Sequence, residues 1–399
     1  MEIRKLKPEE MVAKSLVSAI VFLGSLDVGY KERLANPLDH SEGYEKVWGA
    51  FDKNGRIFSC ATIHNFKIRF DGHTVEMGGV GNVCTLPEYR HGGSIRKIFE
   101  KALPEMKEQG KVFSYLYPFS NTFYRKFGYE VCNAKNELKI PIGHFSHFPV
   151  PENMEMHEPG GDFTGYAQVY DKFIANMNLP ILRDAATWAK LYDKDPYISR
   201  QYAYLHRDKT GNPDAYIIFS AEGHTHEGIG LKVHEIAWTG PCGLNSVFGF
   251  INGMSAQTSH ISWVAPGSFN PYPMFPNCDN IEISRPASGM NRIVDVKNAL
   301  SLVKTPGQAG KAVISVYDNF MPQNTGVYDI EWDAGGPAEV KGSNSSPDME
   351  TDIETLAQLV TGFITPSQAR HKKDFALNAN EMLLNTLFPL KELYINHHF

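Results

Sequence analysis

The 399-residue chain is poor in cysteine, has no long apolar run and carries little net charge, and each shortage excludes a class of protein. Its five cysteines are odd in number, widely spaced and without a C-x-x-C pair, which argues against a disulfide framework and favours a reducing compartment. A formal net charge of −6 gives no broad attraction to phosphate backbones or anionic lipid. We therefore expect a cytoplasmic protein with no nucleic-acid partner.

The longest apolar run near the N-terminus, residues 16–26, is too short to span a bilayer. The mixed-charge start, residues 1–5, lacks the basic region of a signal peptide. We expect neither membrane insertion nor secretion. What the chain does have is 42% hydrophobic and 21% charged residues, the balance of a globular protein that buries a core. Its length predicts about two or three domains, and we expect three.

Strand and helix patterns alternate over the first 140 residues. The dipeptides Asn54-Gly55 and Asp71-Gly72 tolerate positive φ angles and predict two antiparallel hairpins. A glycine-containing turn then leads into a helix predicted over residues 94–108, and a later strand is predicted over residues 129–140. These patterns predict an α+β fold built around a mixed sheet.

Two further units follow the first. Residues 141–280 repeat an order of helices and strands but lack the glycine turn, so this unit is a candidate degenerate copy of the first. Residues 281–399 combine β-rich stretches with two predicted helices. The expected organisation is therefore 1–140, 141–280 and 281–399.

The segment from Val83 to Arg96 joins a predicted strand to a predicted helix through a turn rich in glycine. Such a turn lets backbone amides converge, and the helix N-terminus adds partial positive charge, so a pyrophosphate can bind there. Arg90 and Arg96 add full charges. The arm of a bound pantetheine would then lie along the preceding strand, where amides at Val83 or its neighbours could grip the thioester carbonyl.

This segment resembles the phosphate turn of the Gcn5-related N-acetyltransferase (GNAT) superfamily, whose motif is arginine or glutamine, two residues, glycine, one residue, then glycine or alanine. Arg90 and Gly93 match, whereas Ile95 departs from the small final residue. Taken alone, so short a motif is also compatible with an ordinary loop. The resemblance implies acetyl-coenzyme A (acetyl-CoA) as the acyl donor, with cofactor-binding positions at Val83, Cys84, Thr85, Arg90, His91, Gly92, Gly93, Ser94, Ile95, Arg96, Ser120 and Asn121.

A second segment, residues 117–130, resembles the run in which the superfamily places its catalytic tyrosine, and Tyr124 takes that position. When an amine attacks a thioester, the sulfur leaves as a thiolate, and a phenol with a reference pKa of about 10 can supply its proton. The resemblance therefore predicts Tyr124 as the general acid. The alternative is an aromatic core cluster made of Phe123, Tyr124, Phe127 and Tyr129.

Residues 290–296, followed by Ala299-Leu300, resemble the entry to the C-terminal sterol-carrier-like domain of the enhanced-intracellular-survival (Eis) acetyltransferases. That resemblance covers essentially the whole chain and implies two tandem GNAT-like domains, the second without cofactor residues, plus a sterol-carrier-protein-like domain. It also implies that the C-terminal carboxylate, here that of Phe399, enters the active site as a base. A frayed tail is the alternative for Phe399. Family analogy further implies a homo-oligomer, a hexamer.

The activity that the resemblance implies is N-acetyl transfer from acetyl-CoA to an amine, by direct attack in a ternary complex. The acceptor would be a small molecule such as an aminoglycoside or a polyamine, or a lysine side chain. Protonated amines favour acidic and aromatic surroundings, and Asp27, Phe22 and Glu76 are possible lining residues, although ordinary surface or core roles suit each of them. The alternative function is a catalytically silent GNAT-fold protein that binds an apolar ligand or a partner through its C-terminal unit.

Other motifs favour structural roles. We interpret residues 224–227, His-Thr-His-Glu, as a solvated loop rather than a metal site because glycines surround them. No metal is expected. Besides its place on the cofactor strand, Cys84 is interpreted as a small buried hydrophobe rather than a nucleophile, since direct transfer needs no acyl-enzyme.

Overall fold

The computed structural model describes residues 1–27, 29–36, 38, 42–225 and 228–399. Within these ranges the chain forms three β-sheets with helices packed on them, so the predicted α+β class is confirmed. The two larger sheets are mixed, and each contains a pair of parallel strands joined by a helix.

The first sheet holds the N-terminal part of the chain. Its strands, in order across the sheet, are β1 (Glu2–Lys5), β2 (Val47–Phe51), β3 (Ile57–Phe70), β4 (His73–Thr85), β5 (Phe113–Leu116), β14 (Met290–Ile293) and β6 (Glu130–Val131). Its helices are α1 (Met11–Val21), α2 (Tyr30–Ala35), α3 (Ser94–Glu108) and α4 (Asn121–Arg125). Both predicted hairpins are present, and their turns contain Gly55, Asp71 and Gly72 at positive φ.

Helix α3 has the predicted bounds and connects the parallel strands β4 and β5. It buries one apolar face, which includes Ile95, Ile98, Phe99 and Ala102, against the first sheet. This amphipathic spacing is the reason that α3 lies flat on the sheet with its N-terminus beside the end of β4.

The second sheet is formed mainly by the middle of the chain. Its strands, in order across the sheet, are β13 (Glu282–Ser284), β7 (Asn136–Pro141), β12 (Thr258–Ala265), β11 (Gly228–Trp238), β10 (Pro213–Thr225), β9 (Gln201–Arg207) and β8 (Met154–Met156). Its helices are α5 (Thr164–Phe173), α6 (Ala185–Tyr192), α7 (Pro196–Ser199) and α8 (Pro241–Gly253). Helix α8 joins the parallel strands β11 and β12, as α3 joins β4 and β5.

The third sheet is formed by the C-terminal part of the chain. Its strands, in order, are β17 (Glu339–Gly342), β16 (Gly326–Trp332), β15 (Gly310–Tyr317), β18 (Met349–Asp352) and β19 (Phe375–Leu377). Its helices are α9 (Val296–Ser301), α10 (Ile353–Thr361), α11 (Pro366–Ala369) and α12 (Glu381–Leu387). One apolar core joins this unit to the first sheet, because Met77 and Phe113 pack in the same cluster as Leu356 and Val360.

The sheets exchange strands across the predicted boundaries. The single strand predicted over residues 129–140 is wrong, because the chain leaves the first sheet after β6 and enters the second at β7. Strand β13 pairs with β7, while β14 returns to the first sheet and lies between β5 and β6. The first two units are therefore tied together by crossing segments, and a division at 140 and 280 stays a prediction.

Candidate active site

The chain between β4 and α3 forms an irregular turn and is not part of a continuous helix. A single 3-10 turn spans Pro87–Tyr89, and His91 and Gly93 then adopt left-handed conformations with φ of 67° and 74°. Glycine tolerates that region, whereas a histidine there is uncommon and costs conformational energy. Helix α3 begins directly afterwards, at Ser94.

The backbone amides at the start of α3 are unpaired. Those of Tyr89 and Arg90 donate to the carbonyls of Leu86 and Pro87, and that of Lys97 donates to Gly93. For the described part of the chain, the amides of residues 91–96 have no protein acceptor. Free amides at a helix N-terminus carry partial positive charge, so this turn is suited to bind a phosphate group.

A cleft of about 780 Å³ opens beside this turn. Its wall combines the end of β4, the turn, the start of α3, the end of α1 and the aromatic segment around α4. The lining residues are Val21, Phe22, Val83, Cys84, Thr85, Arg90, His91, Gly93, Ser94, Ile95, Arg96, Phe119, Phe123, Lys126 and Phe127. One side of the cleft is therefore cationic and rich in amides, and the other is apolar.

Strands β4 and β5 separate inside the molecule and leave a slot that leads into the cleft. Their pairing ends at Val80 and Leu116, although β4 continues to Thr85. Just past that point β4 contains a bulge at Asn82, whose φ is 50°. Bulges of this kind redirect a strand next to functional sites. The slot gives an extended ligand access to the β4 backbone.

Hydroxyl groups hold the turn against the sheet. Ser59 Oγ donates to the Cys84 carbonyl at 2.9 Å and lies 2.7 Å from Thr85 Oγ1. Ser94 Oγ donates to Ser59 Oγ at 3.1 Å. All of these groups are buried or half-buried, so the network fixes the first residue of α3 relative to β3 and β4.

Two cysteine thiols lie on this strand pair. Cys60 and Cys84 are register partners of β3 and β4, and their sulfur atoms are 3.2 Å apart and buried. The hydrogen bond between them raises the pKa of Cys60 and lowers that of Cys84. This contact could not be predicted from the sequence, because the two residues are 24 positions apart without a recognisable motif.

The C-terminal tail lies over the first sheet at the same slot. A Cβ atom built on Gly81 would lie 3.0 Å from the carboxyl carbon of Phe399 and 3.1 Å from an oxygen. The Phe399 ring packs on Phe66, with ring centroids 4.9 Å apart. Tyr117 donates through its hydroxyl to the His397 carbonyl at 3.1 Å. The tail is therefore bound in place, and its carboxyl group lies one residue past the end of β4–β5 pairing.

Tyr124 lies on α4, behind the wall of the cleft rather than in it. Its ring contacts Phe119 and Phe123, which line the cleft, at centroid distances of 5.4 and 5.1 Å. The phenol is buried, and burial raises its pKa, so it is protonated at neutral pH. The aromatic cluster considered as the alternative is also present, since Tyr124 packs with Phe127 and Tyr129.

The remaining predicted residues have mixed placements. Gly92 lies in the turn between two lining residues, whereas Ser120 and Asn121 are not part of the cleft wall. Ser120 instead caps α4, where its hydroxyl accepts from the Phe123 amide. Of the possible acceptor residues, Phe22 lines the cleft, while Asp27 is exposed and paired with Arg33.

Several cleft residues are absent from the site predicted from the sequence. Phe119, Phe123, Lys126 and Phe127 line the cleft, although their segment predicts only a catalytic tyrosine or an aromatic core. Phe123, Lys126 and Phe127 are spaced three and four residues apart, so one helical turn brings them to the same wall.

Within the described ranges no group of three metal-ligating side chains comes together, and no helix is long and apolar enough to cross a membrane. Strand β10 ends at Thr225, so His224 and Thr225 belong to a strand, and the loop predicted for them is wrong. His226 and Glu227 lie outside the described residues.

Family models match three parts of the chain. Residues 2–132 and residues 179–283 each match a model described as an acetyltransferase (GNAT) domain, and residues 296–395 match a sterol carrier protein domain. The fold and these matches define an acyltransferase enzyme of the GNAT class. With a second GNAT domain and a C-terminal sterol carrier domain, the chain has the domain organisation predicted from its resemblance to the Eis acetyltransferases.

Solved structures share this fold over the whole chain. A probable N-acyltransferase from Enterococcus faecalis has a TM-score of 0.86 at 20% identity, with 100% of this chain and 99% of that chain covered. A GCN5-related N-acetyltransferase from Anabaena variabilis has a TM-score of 0.85 at 22% identity, and Eis1 from Mycobacterium abscessus 0.81 at 17%, each with both chains fully covered. A search of curated proteins gave no significant match.

Proposed function

We propose that this enzyme transfers an acetyl group from acetyl-CoA to a primary amine, by direct attack within a ternary complex. One observation carries the proposal: unpaired amides of residues 91–96 border a cleft whose wall includes Val83 of β4, and the carboxyl group of Phe399 lies beside Gly81, two residues earlier on the same strand. A donor site and a base would then lie on one strand. The acceptor class we propose is an aminoglycoside-like or polyamine-like small molecule, or a lysine side chain.

The donor pyrophosphate would bind at the turn. The amides of residues 91–96 supply hydrogen-bond donors, while Arg90 and Arg96 supply charge from the same wall. The unpaired edge of β4 past Val80 would receive the amide-rich arm, and the amide of Val83 would polarise the thioester carbonyl. These positions agree with the apolar lining that the rest of the cleft offers to the arm.

The carboxylate of Phe399 would act as the base. A terminal carboxylate has a reference pKa of about 3.5, so it is ionised at neutral pH and can accept a proton from an ammonium acceptor through water. His64 lies beside it, with its ring centroid 6.0 Å from that of Phe399. Burial lowers the pKa of His64 to about 4, so this neighbour is neutral and leaves the carboxylate its full negative charge.

Tyr124 would act as the general acid for the leaving sulfur. Its raised pKa keeps the phenol protonated, which is the state that a hydrogen-bond donor needs. Its hydrogen bond to the sulfur would strengthen as negative charge builds there, and the phenol proton would pass to the thiolate as the carbon–sulfur bond breaks. Phe119 and Phe123 line the cleft in front of Tyr124, so the phenol would have to reach the sulfur between these two rings.

Two further inferences complete the proposal, the location from the cysteines and the oligomeric state from family analogy. We infer a cytoplasmic location, in line with cysteines that are all free in the described chain. We also infer a homo-hexamer, which sedimentation or light scattering would test directly.

The decisive experiment measures thiol release from acetyl-CoA with a panel of amines. We expect turnover with at least one polyamine, aminoglycoside or lysine peptide, together with a mass increase of one acetyl group on the acceptor. A panel of donors with longer acyl chains, run beside it, identifies the preferred acyl group. Tight binding of coenzyme A without turnover on any amine would instead favour a binding protein that has kept only the fold.

A further inference from the structure

The second sheet contains a buried ion pair that touches the C-terminal tail. Arg183 donates to both carboxylate oxygens of Glu235, at 2.6 and 2.8 Å, and neither side chain is exposed at all. Aromatic rings pack against the guanidinium, whose central carbon lies 4.1 Å from the ring centroid of Tyr170 and 4.8 Å from that of Trp188. We call Arg183 and Glu235 the buried pair.

The tail supplies several further hydrogen bonds to the buried pair, and the hydroxyl of Tyr216 supplies one more, to Glu235 at 2.6 Å. Glu235 accepts from the hydroxyl of Tyr394 at 3.2 Å and from the side-chain amide of Asn396 at 3.0 Å. Arg183 also donates to the Asn396 carbonyl at 3.3 Å. Two of the last six residues of the chain therefore hydrogen-bond a fully buried charge, and such bonds are stronger than those between neutral groups.

The place of the pair in the sheet explains why the tail fits there. Strands β11 and β12 pair as far as Val233 and Trp263 and then separate, as β4 and β5 do after Val80. The Asn396 side-chain amide donates to the carbonyl of His234, the first β11 residue beyond the pairing, at 2.9 Å. The tail thus occupies the gap of the second sheet.

Stability alone does not account for the pair. Burying two charges is costly, and apolar residues of similar volume are often as stable or more so. Arg183 and Glu235 contribute orientation, because their hydrogen bonds hold the tail in one position. Only two residues lie between Asn396 and Phe399, a reach of roughly 10 Å in extended chain, so a shift at the pair is passed on to the terminal carboxyl group.

We propose that Arg183 and Glu235 are positioning residues, which hold the tail so that the Phe399 carboxylate lies over Gly81. The second GNAT domain then contributes to catalysis by fixing the base that acts in the first. This inference rests on the proposed role of Phe399, although the fixing of the tail can be measured without any assay of activity.

The test uses the full-length chain with Asn396→Leu, which removes the tail's side-chain hydrogen bonds to Glu235 and His234 without leaving a charge unpaired. The matched control is Asn252→Leu, which changes a half-buried asparagine of the same domain that donates to the Phe148 carbonyl and, within the described chain, makes no hydrogen bond to the last six residues. A carboxypeptidase should release Phe399 from Asn396→Leu at least several-fold faster than from the parent and the control. Equal release rates would overturn the proposal.

Activity provides the second measurement. Asn396→Leu should lower kcat roughly 10- to 100-fold, because small misplacements of a reacting group have effects of that size, and should leave the KM for the donor within about two-fold. In a chain that lacks Phe399, the same substitution should have no further effect on kcat. A further loss there would contradict action through the tail. Glu235→Gln, which keeps the shape and removes the charge, should reproduce the faster release.

The two proposals fail in different ways. If removal of Phe399 leaves kcat unchanged, the carboxylate is not the base. Faster carboxypeptidase release from Asn396→Leu would still show that the buried pair holds the tail in place. If Phe399 is needed but its release and kcat are unaffected by Asn396→Leu, the buried pair has no positioning role.

Discussion

The two larger sheets contain the same crossover and use it differently. In the first, α3 connects parallel strands β4 and β5, and in the second, α8 connects parallel strands β11 and β12. Both strand pairs separate near their ends. The first gap opens into a cleft, whereas the second is filled by the C-terminal tail. Topology alone therefore does not create a donor site.

The difference begins at the first residues of each helix. Helix α8 begins at Pro241, which has no backbone N–H to donate, and the preceding Gly240 is extended, with φ of −178°. The space beside the turn is also taken, because Thr239 donates to the Asp214 carbonyl and a Cβ on Gly243 would lie 2.7 Å from that oxygen. The second turn therefore offers fewer free amides than the first and less room for a phosphate.

The sheets also differ after their second parallel strand. In the first, β5 leads into α4, which carries Tyr124. In the second, β12 leads into residues 266–281, where the described chain forms turns and no helix. The site thus depends on a few local features added to a common crossover.

The largest effect is expected from Tyr124→Phe, which makes the first sheet resemble the second in lacking a phenol. Loss of a general acid costs typically about 100- to 10,000-fold, and we expect a fall in kcat near the lower end of that range. Donor affinity should change little, since Tyr124 does not line the cleft. Steady-state kinetics with direct binding of coenzyme A measures both quantities.

Tyr129→Phe is the matched control for this substitution. Its hydroxyl is buried and lies 2.7 Å from Ser114 Oγ, so its loss should reduce stability while leaving kcat much closer to that of the parent. Equal losses of kcat in the two variants would assign Tyr124 to the aromatic core alone.

The next effect concerns the turn itself. Ser94→Pro places proline at the first residue of α3, as Pro241 stands in α8, and removes one free amide. A hydrogen bond to a charged group is worth about 1.5–3 kcal/mol, so coenzyme A should bind roughly 10- to 100-fold more weakly. Calorimetric titration measures the change.

Ser94→Ala separates the amide from the hydroxyl. It keeps the amide and removes the hydrogen bond to Ser59, so its binding of coenzyme A should stay close to that of the parent. If proline and alanine weaken binding equally, the hydroxyl network rather than the amide holds the donor.

A smaller effect is expected from Gly81→Ala. The new methyl group would lie 3.0–3.1 Å from the carboxyl atoms of Phe399, which is closer than ordinary van der Waals contact, so the tail must shift. We expect kcat to fall about ten-fold, as for a modest misplacement of a catalytic group. A parallel measurement on the chain without Phe399 should show no added loss, and an added loss there would place the clash elsewhere.

The donor turn could be predicted from the sequence because its chemistry is local. Arg90, the glycines and the periodic apolar residues of α3 lie within one continuous segment, and helix and turn preferences act over that range. The hairpins at Asn54-Gly55 and Asp71-Gly72 were predictable for the same reason. The α+β class followed from these elements.

Long-range contacts could not be predicted in the same way. Strands β6 and β7 read as one strand because four residues between them carry no strong turn signal, yet they pair in different sheets. The buried pair joins Arg183 to Glu235 across 52 residues, and the tail reaches it from further still. Such partners are determined by tertiary packing. The position of the tail could therefore be predicted only from the family resemblance, and the residues that hold it could not be predicted.

The smallest predicted effect tests the third unit, which packs on the first sheet through α10. Burial and the charge of Asp352 raise the pKa of Glu354 to about 7. The folded chain therefore keeps a proton that the unfolded chain releases at lower pH. The stabilisation from this group is fully present below the unfolded pKa of about 4.5 and is lost as pH rises through about 7.

Glu354→Gln mimics the protonated form at every pH, so it should be as stable as the parent at pH 4.5 and more stable at pH 8. One pKa unit corresponds to about 1.4 kcal/mol, and partial exposure of this half-buried group reduces the gain to about 1–2 kcal/mol. Urea unfolding at the two pH values measures it. The exposed Glu331→Gln is the control and should leave the pH dependence unchanged. If Glu354→Gln also leaves the pH dependence of stability unchanged, the carboxyl group is solvated in the folded chain. The contact between the third unit and the first sheet would then be more open to water than the fully buried pair that holds the tail in the second sheet.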